Sequence, residues 1–162
     1  MATKKILTRN NIPTDELTKS VEKVINGIHL TYDEYYYLDF YVNEDTGEID
    51  NSVLIEHYTK EQTIRNLKAQ KSAYLISKGA ASPIEIINFR EKHQIAASSL
   101  SIILGFSKNT ISNIENEGVT SLPSGRFIKV CIDDTNLLTQ YIDICPSLES
   151  KKRMELLAKF SS

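Results

Sequence analysis

The chain has 162 residues, of which 41% are hydrophobic and 25% are charged, and its formal net charge is −2 at pH 7. This length suits one compact domain or two small ones, and no apolar run approaches the roughly 18 residues of a membrane-spanning helix. The basic residues near the N-terminus are not followed by an apolar stretch, so we expect no secretory signal. The composition therefore favours a globular cytoplasmic protein over a secreted or membrane-spanning one.

Few residues of the chain suit catalysis or metal binding. Cys131 and Cys145 are the only cysteines, neither lies in a Cys-x-x-Cys motif, and we expect both to be reduced thiols. The three histidines are far apart in the sequence, and no Ser-His-Asp spacing or phosphate-binding glycine run is present. The sequence thus predicts no enzymatic activity, no metal site and no cofactor.

The N-terminal part predicts a helix, a β-hairpin and a second helix. Acidic residues open a segment from Thr14 to Gly27 in which apolar residues recur at helical spacing, namely Leu17, Val21, Val24 and Ile25. From Tyr35 to Val42 the pattern alternates with period two, as in a strand, and residues 43–48 predict a turn into a return strand from Ile49. Another helix is predicted from Lys60 to Lys78. Residues 1–80 would then form a small α+β domain for partner binding.

Charge is unevenly distributed along this N-terminal part. Residues 31–56 contain eight acidic residues and no lysine or arginine, whereas residues 57–80 contain five basic residues and one acidic residue. The acidic stretch is either a solvated face, a surface for a basic protein partner, or a device that keeps the chain off DNA. Because the sign of the charge changes along the chain, the total charge does not exclude nucleic-acid binding.

The most informative segment follows Ser82 and Pro83, which suit the cap and the first position of a helix. Counted from Ala97, the characteristic residues fall at positions 1, 5, 9, 15 and 18, which is the spacing of a helix-turn-helix. In this arrangement Ser101 is the small residue at the helix crossing and Gly105 adopts the left-handed turn. Ser107 is predicted to cap the second helix, and the inward residues of that helix are Ile111 and Ile114.

The stretch from Ser82 to Gly118 resembles an XRE-type, lambda-repressor-like helix-turn-helix in these landmarks and in its trailing Ile-Glu-x-x-Gly. The longer frame resembles the MqsA-type antitoxins, in which a small zinc-knuckle domain precedes a dimeric, operator-binding helix-turn-helix domain. Residues 43–48 keep the Gly-Glu of the knuckle turn but have neither of its cysteines. The resemblance therefore implies a hairpin that has persisted without metal.

The resemblance also implies that the second helix of the motif lies in the major groove, with its first turns facing base edges. The residues predicted to contact DNA from it are Ser107, Lys108, Asn109, Thr110, Ser112 and Asn113. Asn109 suits bidentate pairing with adenine, Asn113, one turn further on, suits the next base, and Lys108 suits a phosphate oxygen. Arg90 and Lys92 are further phosphate candidates.

Two features of the motif predict weak binding by a monomer. Family members often carry glutamine at the position of Ala97 and arginine near the end of the recognition helix, where this chain has Asn113. Residues 83–126 contain four basic and four acidic residues, so the segment is locally neutral. Because neutralisation of phosphate charge dominates non-specific affinity, we expect usable DNA affinity only from a homodimer.

Beyond the motif, residues 122–125 predict a turn, and two more helices are predicted, one from Arg126 and one from Asn136 to Ile144. Residues 147–162 predict a short amphipathic helix that forms a C-terminal tail. The predicted fold class is mainly α, with a small β-hairpin in the N-terminal domain and a five-helix lambda-repressor-like helix-turn-helix domain over residues 81–146.

These features predict a DNA-binding transcriptional repressor, the antitoxin of a bacterial toxin–antitoxin pair. It would bind a double-stranded operator as a homodimer and a protein toxin through residues 31–56. Two alternatives remain open: a protein-interaction module that keeps the helix-turn-helix fold without binding DNA, and a phage-type repressor without a toxin.

Overall fold

The structure, a computed structural model, describes residues 3–8 and 11–161. Within these residues it contains two antiparallel β-sheets and seven α-helices. The chain divides into two compact units, Met1–Gln70 and Lys71–Ser162, and the boundary lies inside the first helix. None of the described helices combines the length and the apolar character needed to cross a membrane.

The first unit contains five strands: β1 (Lys5–Leu7), β2 (Pro13–Asp15), β3 (Leu17–Ile25), β4 (Ile28–Val42) and β5 (Ile49–His57). β1 and β2 form a two-stranded ladder, and the order of the other sheet is β3-β4-β5. The long strand β4 pairs with β3 up to Tyr36 and with β5 from Tyr37 onward. Its central position in the sheet makes β4 the organising strand of this unit.

The predicted helix over residues 14–27 is wrong, because this segment forms the end of β2 and the whole of β3. Apolar residues at i, i+4 and i+8 share one face of a helix, but these intervals are also even, so they share one face of a strand. Leu17, Val21 and Ile25 are accordingly half-buried along β3. The hydrophobic spacing alone could not separate the two structures.

A two-residue turn decides in favour of the strand. Asn26 and Gly27 have φ values of 50° and 77°, and Ile25 and Ile28 on either side are paired across the ladder. Positive φ at both central residues is typical of a type I′ hairpin turn, for which Asn-Gly is the most favourable sequence. Gly27 thus follows the end of a strand and not the end of the predicted helix.

The helices are α1 (Lys60–Ser77), α2 (Pro83–His93), α3 (Ala97–Ile103), α4 (Thr110–Glu117), α5 (Leu122–Asp133), α6 (Thr135–Ile144) and α7 (Ser150–Phe160). The end of α1 and helices α2–α7 make up the second unit. Its core consists of apolar side chains from all these helices, and its fully buried members include Leu100, Ile111, Ile128, Leu138 and Ile142. Burial of this apolar surface is the main stabilising contribution to the unit.

The predicted fold class is therefore wrong in both halves. Of the described residues, 49% are helical and 25% are in strands, so the sheet is much more than a small hairpin in a mainly α protein. The helices that follow the sheet do not form a five-helix lambda-repressor-like domain. The residues assigned to a C-terminal tail form α7, and its Leu156 and Phe160 are buried in the core of the second unit.

Capping explains where α2 and α5 begin. Ser82 and Glu85 form the reciprocal hydrogen bonds of a capping box, and Pro83 occupies the first turn of α2, as predicted. The predicted turn at residues 122–125 is wrong, because Ser121 caps a helix that already starts at Leu122. Proline close behind a serine marks a helix start here as it does in α2.

Candidate nucleic-acid interface

Helices α3 and α4 are joined by a tight turn, and one buried serine connects them. Ser101 has no exposed surface; its hydroxyl donates to the Ala97 carbonyl oxygen at 2.9 Å and accepts the Ile111 backbone N–H at 3.0 Å. The second bond satisfies a donor in the first turn of α4, which no residue of its own helix can satisfy. The small side chain predicted at this crossing is therefore also a polar bridge between the two helices.

The turn after α3 is a Schellman motif. The N–H of Gly105 donates to the Ile102 carbonyl oxygen at 3.0 Å, and the N–H of Phe106 donates to the Ser101 carbonyl oxygen at 2.9 Å. Gly105 has a φ of 82°, and no atom lies within 4 Å of the position that a Cβ would take. The glycine is required there for its backbone conformation and not for space.

The beginning of α4 differs from the prediction. Ser107 does not cap the helix; its hydroxyl oxygen lies 2.9 Å from that of Thr110, and the N-cap residue is Asn109, which makes no side-chain capping bond. Residues 107–109 form a turn ahead of the helix. The first three of the predicted contact residues thus lie on this turn, and Thr110 is the first residue of the helix.

The predicted contact residues lie on the outer side of α4 and of the turn before it. Ser107, Lys108, Asn109 and Asn113 are exposed, and Thr110 and Ser112 are half-buried. Ile111 and Ile114 are buried on the opposite side, as predicted. The exposed side chains provide one cation and two primary amides, which suit a phosphate oxygen and base edges respectively.

Arg90 is bound within the protein. Its Nε and Nη2 donate to the two carboxylate oxygens of Glu115 at 2.5 and 2.8 Å, and its Nη1 donates to the Ile95 carbonyl oxygen at 3.1 Å. The Glu115 carboxylate raises the pKa of Arg90. A bidentate pair of this kind fixes α2 against α4, so Arg90 positions α4. Lys92, the other phosphate candidate outside the motif, is exposed.

Three side chains that hold the structure around the motif were not predicted from the sequence. Glu115 holds Arg90; Ser72 accepts the N–H of Val119 just after α4; and Arg153 donates to carbonyl oxygens at the end of α6, including that of Cys145 at 2.5 Å. A partner far away in sequence leaves no local pattern, so only the Arg153 interaction had a signal, in the basic run Lys151-Lys-Arg.

The remaining chemistry-bearing residues of the chain do not form a reactive cluster among the described residues. Cys131 and Cys145 are buried free thiols, and burial raises the pKa of Cys131 to about 11. Across residues 3–8 and 11–161, no group of three or more His, Cys, Asp or Glu side chains is arranged to hold a metal ion. No protein-family model, no curated protein and no solved structure matches the chain.

Proposed function

We propose that the chain is a cytoplasmic DNA-binding transcriptional regulator that contacts DNA through the α3–turn–α4 motif. The observation that carries the proposal is the Ser101 bridge between α3 and α4, combined with the exposed polar residues beyond it. A helix pair held this rigidly presents α4 with an apolar inner side and a polar outer side. This is the form in which a protein inserts a helix into the major groove.

Each exposed residue of the motif has a chemical role in this proposal. Asn109 is the N-cap residue of α4 and Asn113 lies one turn further along the helix, so the exposed Asn109 amide can pair with N6 and N7 of an adenine and the Asn113 amide with the next base. A good bidentate pair contributes about 1–3 kcal/mol of discrimination against a wrong base. Lys108 binds phosphate, and Arg90 acts indirectly by holding Glu115.

The small number of exposed cations requires two copies of the chain. Arg90 is occupied by Glu115, which leaves Lys92 and Lys108 as the exposed cations among the proposed contacts. The electrostatic part of DNA affinity increases with the number of phosphates neutralised, so a single motif binds weakly. A homodimer on a palindromic operator doubles both the phosphate and the base contacts.

We further propose that the regulator is an antitoxin whose protein toxin binds residues 31–56. The support is the eight acidic residues of this segment, the exposed apolar side chains on it, and the resemblance to MqsA-type antitoxins. A basic partner would be attracted by the carboxylates and would cover the apolar surface. Toxin binding and DNA binding are then assigned to different parts of the chain.

A gel-shift titration tests DNA binding directly. The full chain is titrated at low salt against its native upstream DNA and against random duplex, and the same is done for Asn109→Ala and for Asn136→Ala. Asn136 lies on the surface of α6 and makes the matched control. We expect Asn109→Ala to reduce operator preference about five- to hundredfold, as expected for losing one bidentate pair, and Asn136→Ala to leave it unchanged. Absence of retardation for both duplexes at micromolar protein contradicts the DNA proposal.

The Arg90–Glu115 pair favours one other function. The pair removes Arg90 from phosphate binding, and residues 83–126 are locally neutral. In this second function, the helix-turn-helix is a protein-interaction module that does not bind DNA. Affinity capture with and without nuclease distinguishes the two functions. A protein-only module keeps its partner after nuclease treatment and carries no DNA before it, whereas a regulator carries DNA that the nuclease removes.

A further inference from the structure

The first unit has an open groove on one face of the β4–β5 ladder, with a cavity volume of about 1010 Å³. Tyr37 and Asp39, alternate residues of β4, form its floor together with their cross-strand neighbours His57 and Ile55, and Tyr41 and Val42 lie at its rim beyond the register shift after Phe40. Residues at the end of β1, in the turn after β4 and at the start of α1 also line it. We call it the β4–β5 groove.

Aromatic rings and carboxylates line the groove together. Tyr37 stacks on His57 with their ring centroids 5.6 Å apart, and Tyr41 is exposed. Among the described lining residues, the charged ones are Asp39, Glu44, Asp45 and Glu61 with one cation, Lys60. Among the described residues, the buried Nε2 atom of His57 has no hydrogen-bond partner. This atom is covered by the protein, so the groups that the groove offers to a ligand are its carboxylates and the exposed ring of Tyr41.

We infer that the β4–β5 groove binds the side chain of an arginine from an extended segment of a protein partner. The inference rests on the proposal that residues 31–56 contact such a partner, and it names the place and the chemistry of the contact. A guanidinium stacks on tyrosine rings, and its five N–H groups suit the carboxylates of Asp39 and Asp45. The planar guanidinium can stack on the exposed ring of Tyr41, which the compact ammonium of a lysine does less well.

Charge selects this occupant over two others. A second copy of the chain docking through the same hairpin would bring two acidic segments together, because residues 31–56 contain no lysine or arginine. Nucleic acid and anionic membrane would be repelled by the same carboxylates. Exposed apolar residues at the rim, Tyr41 and Val42, add surface that a peptide backbone and its side chains can cover.

Backbone amide chemical shifts of the ¹⁵N-labelled full chain test the inference. The probe is the peptide acetyl-Gly-Gly-Arg-Gly-Arg-Gly-Gly-amide, compared with the same peptide carrying citrulline, which has the shape of arginine without its charge. We expect the arginine peptide to shift the amides of residues 37–45 and 55–57, and the citrulline peptide to bind at least fivefold more weakly. The double variant Asp39→Asn/Asp45→Asn should weaken binding of the arginine peptide by a similar factor.

The matched control is Asp33→Asn/Asp143→Asn, which removes two exposed carboxylates outside the groove. Its affinity for the arginine peptide should equal that of the parent chain. Any of three results would overturn the inference. The citrulline peptide binds as tightly as the arginine peptide, the control variant loses as much affinity as the groove variant, or the amide shifts are scattered over residues near all the exposed carboxylates. Gel shifts with Asp39→Asn/Asp45→Asn separate a failure of the groove from a failure of the proposed DNA binding. The double variant should retard the operator DNA as the parent chain does. Shifts confined to Leu38, Phe40 and Leu54 would overturn the groove while leaving residues 31–56 as a partner surface.

Discussion

Single polar side chains determine the geometry of the α3–turn–α4 segment. The Ser101 hydroxyl makes two hydrogen bonds with no exposed surface, and Glu115 makes a bidentate pair with Arg90. An apolar contact constrains distance, but a buried hydrogen bond also constrains direction, and its loss leaves a group that water cannot reach. The orientation of α4 thus depends on a few atoms, while the stability of the unit depends on the whole core.

Replacing Ser101 by alanine should destabilise the helical unit. The substitution removes the acceptor of the buried Ile111 N–H, which costs about 1–3 kcal/mol, and recovers about 0.5 kcal/mol from the higher helix propensity of alanine. We therefore expect a net loss of about 1–2 kcal/mol in the free energy of unfolding, measured by urea titration with circular dichroism at 222 nm. Ser98→Ala in the same helix is the control, and a loss no larger than in this control contradicts the role of the Ser101 bridge.

At the level of elements, α2 and α7 meet through aromatic rings at the end of α2. His93 packs against both Phe89 and Phe160, with ring centroids 4.6 and 4.9 Å away, and these two rings stack on each other at 6.1 Å. Lys159 of α7 donates to the Gln94 carbonyl oxygen at 2.6 Å, so α7 also provides a cap for α2. Burial, with smaller effects from Lys92 and Lys159, lowers the pKa of His93. The contact between these helices is therefore coupled to protonation of one imidazole.

Acidification should weaken this contact. Because the pKa of His93 in the folded protein lies below its unfolded value of about 6.5, the unfolded chain binds the proton more readily. The stabilisation that comes from neutral His93 is complete above about pH 6.5 and is lost as the pH falls towards the lowered pKa of the folded protein. We expect the free energy of unfolding to decrease between pH 7 and 5.5, and His93→Gln to make this decrease smaller. An unchanged pH dependence in His93→Gln would contradict the assignment.

The elements differ in how far local sequence determines them. The α3–turn–α4 connection is predictable because a serine at a crossing and a glycine in the left-handed region are requirements of residue type at fixed spacing. β3 is not predictable from its apolar spacing, which suits both a helix and a strand, and only the turn Asn26-Gly27 distinguishes them. Recognition of that dipeptide as a hairpin turn would have corrected the N-terminal half of the prediction.

At the level of the whole molecule, the two units are stabilised by different means. The helical unit has a continuous apolar core, whereas the sheet unit has a buried carboxylate, Glu16, between β2 and β3. Its oxygens accept from Arg65 Nη1 and Gln62 Nε2 at 3.1 Å each, and Arg65 also covers the ring of Tyr35 at 3.5 Å. These contacts join distant parts of the chain, so no local sequence pattern could have predicted them.

Replacing Glu16 by glutamine should therefore affect the sheet unit selectively. The substitution keeps the side-chain volume but removes the charge that Arg65 and Gln62 bind, and hydrogen bonds to charged groups contribute about 1.5–3 kcal/mol. We expect hydrogen exchange of the β3 and β4 amides to accelerate about 10- to 100-fold, with the amides of α5 and α6 unchanged. Glu22→Gln, an exposed position on β3, is the matched control. Equal acceleration in the sheet and in α5 and α6 would mean that the chain unfolds as one cooperative unit, because a local carboxylate can destabilise distant helices only if both units open together.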